Sequence, residues 1–379
     1  VLEFALPRKA EKIDLLVAGT QQVALVVTID GVKYPQTSPD ARLAVGMIDY
    51  LKQHSGMDVA DRRRKQTGKI SIDSGDGERH VMGIATIGST REMSLSVRVD
   101  TNKMDLDKMG LLPSQRQPLD AALKKAGGLV LVACPPHQGL TTSLYSFLHL
   151  HDPYTQSLVT LEEEVAFEIE GVNHQTIDMS DEAALSQKVS ATIRQTPDVM
   201  MLARLSDAKT ARLLAEAAPE QRIYAGLKQE DTFTALRAWT KAVGDPQVAA
   251  KGLLAIVSPR MVRKLCPTCR VAFKPDPAAL KKLNLPVDKV GELYKHSGQV
   301  LIKGKPQPCP TCFGMGYQGR TGVFEVMVLD DTARDLLAQN QLDQLRAHLR
   351  KQKMLWLQEA ALSKVAEGAT SISEITRAV

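Results

Sequence analysis

The sequence predicts an α/β fold built on a parallel sheet, with a metal-binding insertion and a helical C-terminal region. Between residues 128 and 227, short apolar runs alternate with helical patterns, as they do when crossover helices join parallel strands. Two identical Cys-Pro-Thr-Cys tetrads follow, beginning at Cys266 and Cys309. Beyond Asp330 the apolar residues recur at the spacing of amphipathic helices.

The first hundred residues show the pattern of a separate small α/β domain. A β-branched run from Val23 to Ile29 stops at Asp30-Gly31, a pair typical of a hairpin turn. Further elements are expected as a helix over 42–53 and strands over 69–72 and 93–99. The basic cluster Arg62 to Lys65 is interpreted as a solvated turn, with a phosphate or subunit contact as the alternative.

In the central region the expected strands and helices alternate regularly. The strands are expected at residues 129–133, 157–161, 199–202 and 223–227, and the helices at 141–150, 182–194 and 208–217. Ligands of such sheets bind where strands end and helices begin. The loop from Cys134 to Leu140 occupies a place of this kind.

Length and composition exclude several classes of protein. The chain has 379 residues, which at about 150 residues per domain suggests two to three domains. A net charge of +5 is too mild to indicate nucleic-acid binding, and no aromatic residue interleaves the basic cluster. No apolar run approaches the ~18 residues of a membrane span, and the start lacks the pattern of a signal peptide. We therefore expect a cytoplasmic protein that does not bind nucleic acid.

The two cysteine tetrads predict one structural zinc site. Cys266, Cys269, Cys309 and Cys312 supply four thiolates, a set that matches tetrahedral Zn²⁺ and leaves no open position for catalysis. A pair of redox-active motifs, or free thiols, is the alternative, but a redox motif has no reason to be duplicated. The fifth cysteine, Cys134, follows a buried strand and is expected to be a small packing residue.

The loop after the first central strand nearly matches a phosphate-binding loop, which reads GxxxxGK[ST]. Gly139, Thr141 and Thr142 stand where the motif needs them. However, Cys134 replaces the first glycine, and Leu140 replaces the lysine that neutralises the β- and γ-phosphates. The motif by itself therefore argues against phosphate binding here.

A wider resemblance covers nearly the whole chain. It is carried, in this order, by Ile29-Asp30-Gly31-Val32, Ala60-Asp61-Arg62-Arg63 with Gln66 and Gly68, and residues 127–132, 141–145, 194–201, 261–267 and 316–322. Together these segments resemble those of the secretion ATPases of type II secretion and type IV pilus assembly. They correspond to the family's N-terminal domain, its Walker A strand and helix, its Walker B strand and the borders of its zinc subdomain.

The resemblance implies a RecA-like P-loop NTPase core and a particular domain order. The domains expected are a small α/β domain over 1–100, a linker over 101–118, the core over 119–258, a tetracysteine zinc subdomain over 259–328 and a helical subdomain over 329–379. It also implies ATP with Mg²⁺ and a hexameric ring, peripheral to the inner membrane beneath a platform protein. Family members usually carry a further N-terminal docking domain, which we expect to be missing before Val1.

Several positions depart from the family pattern. Besides Leu140, the Walker B Gly-Glu pair is Ala203-Arg204, and the histidine box that ends Leu-His-Thr-Asn reads Leu227 to Glu230, with Lys228 in the place of histidine. The strand 26–28 lacks the arginines that reach a neighbour's nucleotide. The acidic box keeps its charge as Glu162-Glu163-Glu164.

These departures predict a pseudo-ATPase, because phosphoryl transfer depends on positioned charges. It would serve as a structural or regulatory subunit, in its own ring or in a mixed ring with an active paralogue. One alternative is a divergent ATPase that holds Mg²⁺ with Thr141, Glu162 and Glu163. Another is nucleotide bound without hydrolysis, held weakly by backbone N–H groups at Gly139 and Thr141 together with Thr142.

The altered positions also have structural interpretations. Leu140 is expected to pack under the loop, and His137 to face solvent rather than a phosphate. Arg204 and Lys228 are predicted to form ion pairs with Glu162 and Glu163, which would replace Mg²⁺ with internal salt bridges.

Overall fold

The computed structural model describes residues 2–18, 22–73, 79–88, 92–99, 105–282 and 291–379. Within this part of the chain, no helix has the length and apolar character needed to cross a bilayer. The chain divides into two compact units. The N-terminal unit comprises Val1–Asn102, Cys266–Cys269 and Ser297–Gly319, and the core unit comprises the remainder.

The elements of both units are listed here in chain order. The strands are β1 Lys12–Ala18, β2 Gln22–Ile29, β3 Val32–Gln36, β4 Gln66–Asp73, β5 Arg79–Gly88, β6 Glu92–Val99, β7 Gly128–Ala133, β8 Leu158–Glu162, β9 Asn173–Thr176, β10 Val199–Leu202, β11 Arg222–Leu227, β12 Leu253–Leu265, β13 Val271–Phe273, β14 Leu293–Lys295, β15 Gln299–Ile302, β16 Lys305–Pro308 and β17 Tyr317–Val328. The helices are α1 Leu2–Ala5, α2 Ala41–His54, α3 Pro113–Leu123, α4 Leu140–Leu148, α5 Glu182–Arg194, α6 Ala208–Ala217, α7 Thr232–Val243, α8 Pro246–Lys251, α9 Pro277–Lys282, α10 Asp331–Ala338, α11 Leu342–Lys351, α12 Leu357–Ala366 and α13 Ile372–Ala378. A 3-10 turn spans Leu106–Lys108.

The N-terminal unit is built on an antiparallel sheet in the order β3-β2-β1-β6-β5-β4. The Asp30-Gly31 turn between β2 and β3 is confirmed: both residues have positive φ, +50° and +75°, and Ile29 pairs directly with Val32. Helix α2 buries Ala44 and Ile48 in the core of this unit. Its N-terminus is capped by Asp40, which accepts a hydrogen bond from the Leu43 N–H at 2.8 Å.

The basic cluster after α2 forms an ordered turn. Asp61 accepts hydrogen bonds from the backbone N–H groups of Arg63 and Arg64. The Arg62 side chain pairs with Asp49 at 3.0 Å. All four basic residues from Arg62 to Lys65 are exposed, as expected for a solvated turn.

The core unit contains a seven-stranded sheet in the order β17-β12-β7-β11-β10-β8-β9. Neighbouring strands from β12 to β9 are parallel, so the predicted parallel sheet is confirmed. Strand β7 is buried along its whole length. It lies between β11 and β12 although β8 follows it in sequence, so the loop after β7 leaves the sheet at a switch in strand order, where ligands of such sheets bind.

The segment predicted to be a linker is structured where the structure describes it. Of residues 101–118, those from 105 onward contain the 3-10 turn and the start of α3. Pro113 is favourable at the first helical position, because the N–H it lacks would have no partner there. Leu106 and Leu112 are buried, so this stretch belongs to the core despite its polar composition. The predicted domain boundaries stay a prediction.

The predicted helical C-terminal region is present, and its last helix is tied to β12. Glu374 of α13 is buried and forms an ion pair with Arg263 of β12 at 2.6 Å. Burial by itself raises the pKa of this carboxyl, but hydrogen bonds from Arg377 and Arg263 outweigh it and lower the pKa to about 2. Glu374 therefore stays ionised inside the core unit.

Candidate functional site

The loop after β7 is held in place by backbone and side-chain contacts. Gly139, with φ of +92°, ends the loop, and a Cβ there would come within 3.3 Å of the Met261 sulfur. The Gln138 side chain accepts a hydrogen bond from the Met261 N–H at 2.9 Å, which ties the loop to β12. Cys134 is fully buried, and burial raises the pKa of its thiol to about 11, as expected for a neutral packing residue.

Leu140 lies where a phosphate-binding loop presents its lysine. Its side chain is half-buried and packs against the apolar cluster that contains Val132 and Leu144. Thr141 is exposed and Thr142 half-buried, and no side chain caps the N-terminus of α4. His137 is exposed with φ of +64°. The loop thus keeps its shape and a helix N-terminus, but its lysine position carries an apolar side chain.

Glu162 is enclosed by polar side chains of the core unit. It is 2% exposed, and the Tyr145 hydroxyl lies 2.8 Å from each of its carboxylate oxygens. His174 Nδ1 lies 3.4 Å from Glu162 Oε1 and 2.9 Å from the Thr160 hydroxyl. Because His174 Nε2 accepts a hydrogen bond from the Ile169 N–H, the neutral ring carries its proton on Nδ1, facing the carboxylate.

Burial and the neighbouring carboxylate raise the pKa of Tyr145, which keeps its hydroxyl a donor. The next residues, Glu163 and Glu164, are both exposed. The two glutamates proposed to hold Mg²⁺ therefore have opposite environments, Glu162 inside a hydrogen-bonded group and Glu163 in solvent. We call Tyr145, Thr160, Glu162 and His174 the Glu162 cluster.

The ion pairs predicted for Arg204 and Lys228 do not form in the described part of the chain. Arg204 instead donates to the Met179 carbonyl at 3.3 Å, and its buried Nε has no hydrogen-bond partner among the described residues. Lys228 is exposed. The prediction was wrong because Tyr145 and His174 already occupy the Glu162 oxygens.

A buried cation beside the loop was missed from the sequence. Arg260 of β12 is 6% exposed and donates to the backbone carbonyls of Pro259 and Glu230, with the Glu230 carboxylate at 3.3 Å. Burial lowers the pKa of Arg260, whereas the charge of Glu230 opposes this shift. The available signal was an arginine that follows the apolar run Leu253–Val257 by three residues. Its donors are directed at the chain itself.

The four tetrad cysteines converge at one place in the N-terminal unit. All four are buried, and their sulfur atoms lie within 4.8 Å of one another. The Cys266 and Cys309 sulfurs are 3.9 Å apart, and those of Cys269 and Cys312 are 3.6 Å apart. A tetrahedral ion with metal–sulfur bonds of about 2.3 Å places its ligand atoms about 3.8 Å apart. The spacing of the four sulfurs therefore fits a tetrahedral thiolate site.

Backbone donors surround these sulfurs. The Gly316 N–H donates to Cys312 at 3.1 Å. Burial raises the pKa of Cys309, but the N–H groups of Cys312 and Thr311 outweigh it and lower the pKa to about 7. The Thr268 and Thr311 hydroxyls, one from each tetrad, lie 2.9 Å apart. Such N–H···S contacts stabilise thiolates, which are the form that binds metal.

Comparison with known proteins identifies the family. The model of the family described as "Type II/IV secretion system protein" matches residues 1–377. The chain belongs to this family. Among relatives, the type II secretion system protein E of Pseudomonas aeruginosa is 26% identical over 355 residues, which cover 92% of this chain and 68% of the relative. The type IV pilus assembly ATPase PilB of Thermus thermophilus is 25% identical over 93% of this chain and 39% of its own.

Solved structures confirm the fold of this Type II/IV secretion family member. The Legionella pneumophila ATPase DotB aligns with a TM-score of 0.68 at 15% identity, covering 99% of this chain and 93% of its own. The pilus retraction motor PilT with bound ADP aligns with a TM-score of 0.57 at 14% identity, covering 99% and 95%. The family match confirms the resemblance predicted from the sequence, and the solved structures confirm the fold class.

The structure brings together only some of the predicted site residues. Gly139, Thr141 and Thr142 lie in one turn at the start of α4, and the four cysteines form one cluster. Glu162 is turned into its own cluster, away from solvent, and Glu163 is exposed. In this family member the edge of the parallel sheet therefore brings Gly139, Thr141 and Thr142 together, with an apolar side chain at position 140.

Proposed function

We propose that this protein is a pseudo-ATPase of the Type II/IV secretion family, a non-hydrolysing structural or regulatory subunit of a secretion or pilus motor. The observation that carries the proposal is Leu140. At the lysine position the loop presents an isobutyl group, packed against its own apolar cluster. An apolar side chain cannot neutralise a β- or γ-phosphate.

The charges around the loop support the same proposal. The Glu162 carboxylate is enclosed by Tyr145 and His174, and the Arg260 guanidinium is held by Pro259 and Glu230. Arg204 places a positive charge where the family has its Walker B glutamate. Removing one transition-state donor costs about 10²–10³ in rate. Although such losses are not additive, the combined changes leave negligible turnover.

A second candidate is a divergent ATPase that binds or slowly hydrolyses ATP to power protein export or pilus assembly. The uncapped N-terminus of α4 and the exposed Thr141 favour it, because backbone N–H groups at a helix N-terminus attract anions. The relatives include proteins named as ATPases, such as type II secretion system ATPase E of Vibrio cholerae.

Calorimetric titration with Mg-ATP and Mg-ADP, followed by a turnover assay, separates these candidates. We expect no turnover from the native chain or from Leu140→Lys, because Arg204 remains in the second variant. Leu140→Lys is expected to gain nucleotide affinity, whereas Leu150→Lys, which adds the same charge at an exposed position just after α4, is expected to gain none. Turnover by the native chain that is lost in Thr141→Ala would overturn the proposal and establish the divergent ATPase.

We further propose that Cys266, Cys269, Cys309 and Cys312 hold a structural Zn²⁺. The sulfur spacing and the N–H donors support this assignment, and four protein ligands leave no position for a reacting water. The ion would supply folding energy to the insertion rather than chemistry.

The proposed setting follows from the family. We propose that the protein forms a hexameric ring, either of this chain alone or mixed with an active paralogue. The ring would be peripheral to the inner membrane, on its cytoplasmic side. The proposed partner is an inner-membrane platform protein of a secretion or pilus system, and nucleic acid is not a proposed ligand. Size measurement of the purified chain alone and with an active family member tests both kinds of ring.

A further inference from the structure

Arg346 of α11 lies on a pair of aromatic rings. Its guanidinium carbon is 5.1 Å from the ring centroid of Phe233 in α7 and 5.1 Å from that of Trp356, just before α12. The two ring centroids are 5.3 Å apart. These distances are within the range of cation–π attraction, and a guanidinium stacked on rings keeps its N–H edge free for hydrogen bonds. We call Phe233, Arg346 and Trp356 the Arg346 platform.

The platform is held at one edge of the seven-stranded sheet. Glu325 of the edge strand β17 is buried and accepts hydrogen bonds from the backbone N–H groups of Thr232 at 3.1 Å and Leu357 at 2.8 Å. Thr232 precedes Phe233, and Leu357 follows Trp356. One carboxylate of β17 therefore holds the backbone next to both rings.

The positive charge of the platform is not balanced within the chain. Arg346 is exposed and has no ion-pair partner among the residues that the structure describes. Arg350, one turn further along α11, differs because it binds both carboxylate oxygens of Glu359, at 2.7 and 3.0 Å. Arg237, one turn after Phe233 on α7, is also exposed. The platform therefore presents an uncompensated guanidinium, whose planar geometry suits a carboxylate.

The opposite charge is concentrated at the other edge of the same sheet, in the loop between β8 and β9. Four glutamates of this loop are exposed and have no ion-pair partner in the described part of the chain: Glu163, Glu164, Glu168 and Glu170. Phe167 and Ile169 alternate with the last two and pack inward against the apolar core. Glu168 and Glu170 therefore face solvent from a loop that is anchored to the core unit.

One chain cannot bring these two surfaces together. The strands β17 and β9 are the two edges of the seven-stranded sheet, and six strand spacings of roughly 29 Å in total separate them. A contact between the surfaces must therefore join two copies, and it uses a different surface on each copy. Contacts of this head-to-tail kind generate a closed ring or a filament.

We propose that the Arg346 platform of one copy binds Glu168 and Glu170 of the next copy. The two surfaces have opposite charge, and neither has to give up an ion pair within its own chain. The planar fork of a guanidinium matches a carboxylate through two parallel hydrogen bonds. This inference rests on the proposed ring of this chain and names the side chains that hold the ring together. It requires neither nucleotide nor hydrolysis.

Charge reversal in the full chain tests this contact, with self-association measured by analytical ultracentrifugation. Arg346→Glu and Glu168→Arg/Glu170→Arg are each expected to weaken self-association at least about 30-fold, because like charges then face each other. Arg212→Glu is the matched control. It reverses an exposed arginine on α6 of the same unit and is expected to change self-association less than about two-fold.

Restoration of assembly is the sharper measurement. An equimolar mixture of the two reversed variants is expected to assemble in alternation, because the reversed platform of one faces the reversed loop of the other. The unchanged surfaces of the two variants then pair as in the native chain. All three substitutions combined in one chain are expected to return self-association to within about five-fold of the native value. Native assembly is also expected to weaken as salt is raised.

Three results would overturn the proposal. Native-like assembly of Arg346→Glu removes this contact but leaves the proposed ring standing. Loss of assembly in both reversed variants without recovery on mixing shows that the two surfaces do not meet. A native chain that stays monomeric at high micromolar concentration overturns both this contact and the ring of this chain alone. Circular dichroism and zinc content check that each variant is folded.

Discussion

Two regions of this protein bury polar side chains, and they satisfy them in opposite ways. At the edge of the parallel sheet, Glu162 is enclosed by Tyr145, Thr160 and His174, and Arg260 is bonded to backbone carbonyls. In the cysteine cluster the four sulfurs converge on one another, and backbone N–H groups donate to those of Cys309 and Cys312. Buried polar groups must find partners. The sheet edge finds them within the chain, whereas the cysteine geometry is complementary to an ion.

The cysteine cluster therefore calls for a bound cation, whereas the Glu162 carboxylate has hydrogen-bond partners within the chain. The Glu162 carboxylate already accepts a hydrogen bond from a phenol and lies beside an imidazole. Four unscreened thiolates as close as 3.6 Å repel one another unless a cation lies between them. Removing single side chains from each region therefore tests the comparison, starting with the largest expected effect.

The largest effect is expected for Cys309→Ser. Loss of one thiolate removes much of the binding free energy of a structural zinc, which is about 10–16 kcal/mol in small zinc domains. We expect the zinc content, measured by mass spectrometry of the purified chain, to fall from one per chain to nearly none. Cys134→Ser is the matched control, because Cys134 is equally buried but lies outside the cluster. Unchanged zinc content in Cys309→Ser contradicts the assignment.

The second effect concerns a buried carboxylate paired with arginines, against which Glu162 can be compared. Glu374→Gln is expected to lower the free energy of unfolding by about 3 kcal/mol, because it removes the buried negative charge that pairs with Arg263. Glu367→Gln, which breaks an exposed pair with Lys364, is expected to cost less than about 1 kcal/mol. Equal changes in the denaturant midpoints of Glu374→Gln and Glu367→Gln would show that Glu374 does not anchor α13.

Glu374 also makes the free energy of unfolding depend on pH. The pKa of Glu374 is about 2 in the folded chain, compared with an ordinary value of 4.5. Its folded pKa is depressed, so its contribution is complete above the ordinary value and declines as the pH falls from about 5 toward 2. Denaturant titrations across that range are expected to show this decline in the native chain and to show less of it in Glu374→Gln.

A smaller effect is expected for Tyr145→Phe at the sheet edge. This change removes the donor closest to both Glu162 oxygens and leaves the carboxylate with His174 alone, which costs about 1–3 kcal/mol. Tyr154→Phe, at a position that is 76% exposed, is expected to change stability by less than about 0.5 kcal/mol. Two results would contradict this view of the Glu162 cluster. One is an unchanged free energy of unfolding in Tyr145→Phe, and the other is stabilisation of the native chain by Mg²⁺.

The smallest effect is expected between Arg204 and Glu163. The two residues form no ion pair in the structure, so a double-mutant cycle of Arg204→Gln and Glu163→Gln is expected to give a coupling energy below about 0.5 kcal/mol. A coupling energy of about 2 kcal/mol would instead support the predicted ion pair between Arg204 and Glu163, which would take the place of Mg²⁺.

Local sequence patterns were enough to predict several elements and the cysteine ligand set. Apolar periodicity placed β10, α5 and α6 at their observed bounds, and Asp30-Gly31 marked the first hairpin. These are local properties, set by the period of a strand or helix and by residues that tolerate positive φ. The duplicated tetrads predicted the cysteine cluster in the same way, because two pairs of thiolates at this spacing suit a tetrahedral metal ion.

Which charged side chains contact one another depends on how the strands are ordered in the sheet. The chain order runs β7, β8, β10, β11, but the sheet places β11 beside β7 and β8 two strands further away. Glu162 therefore meets Tyr145 and His174 rather than Arg204, and Arg260 meets Glu230, thirty residues away in sequence. Pattern and composition carry no information on such pairs, because contact between distant side chains depends on strand order and on which groups reach a buried partner first.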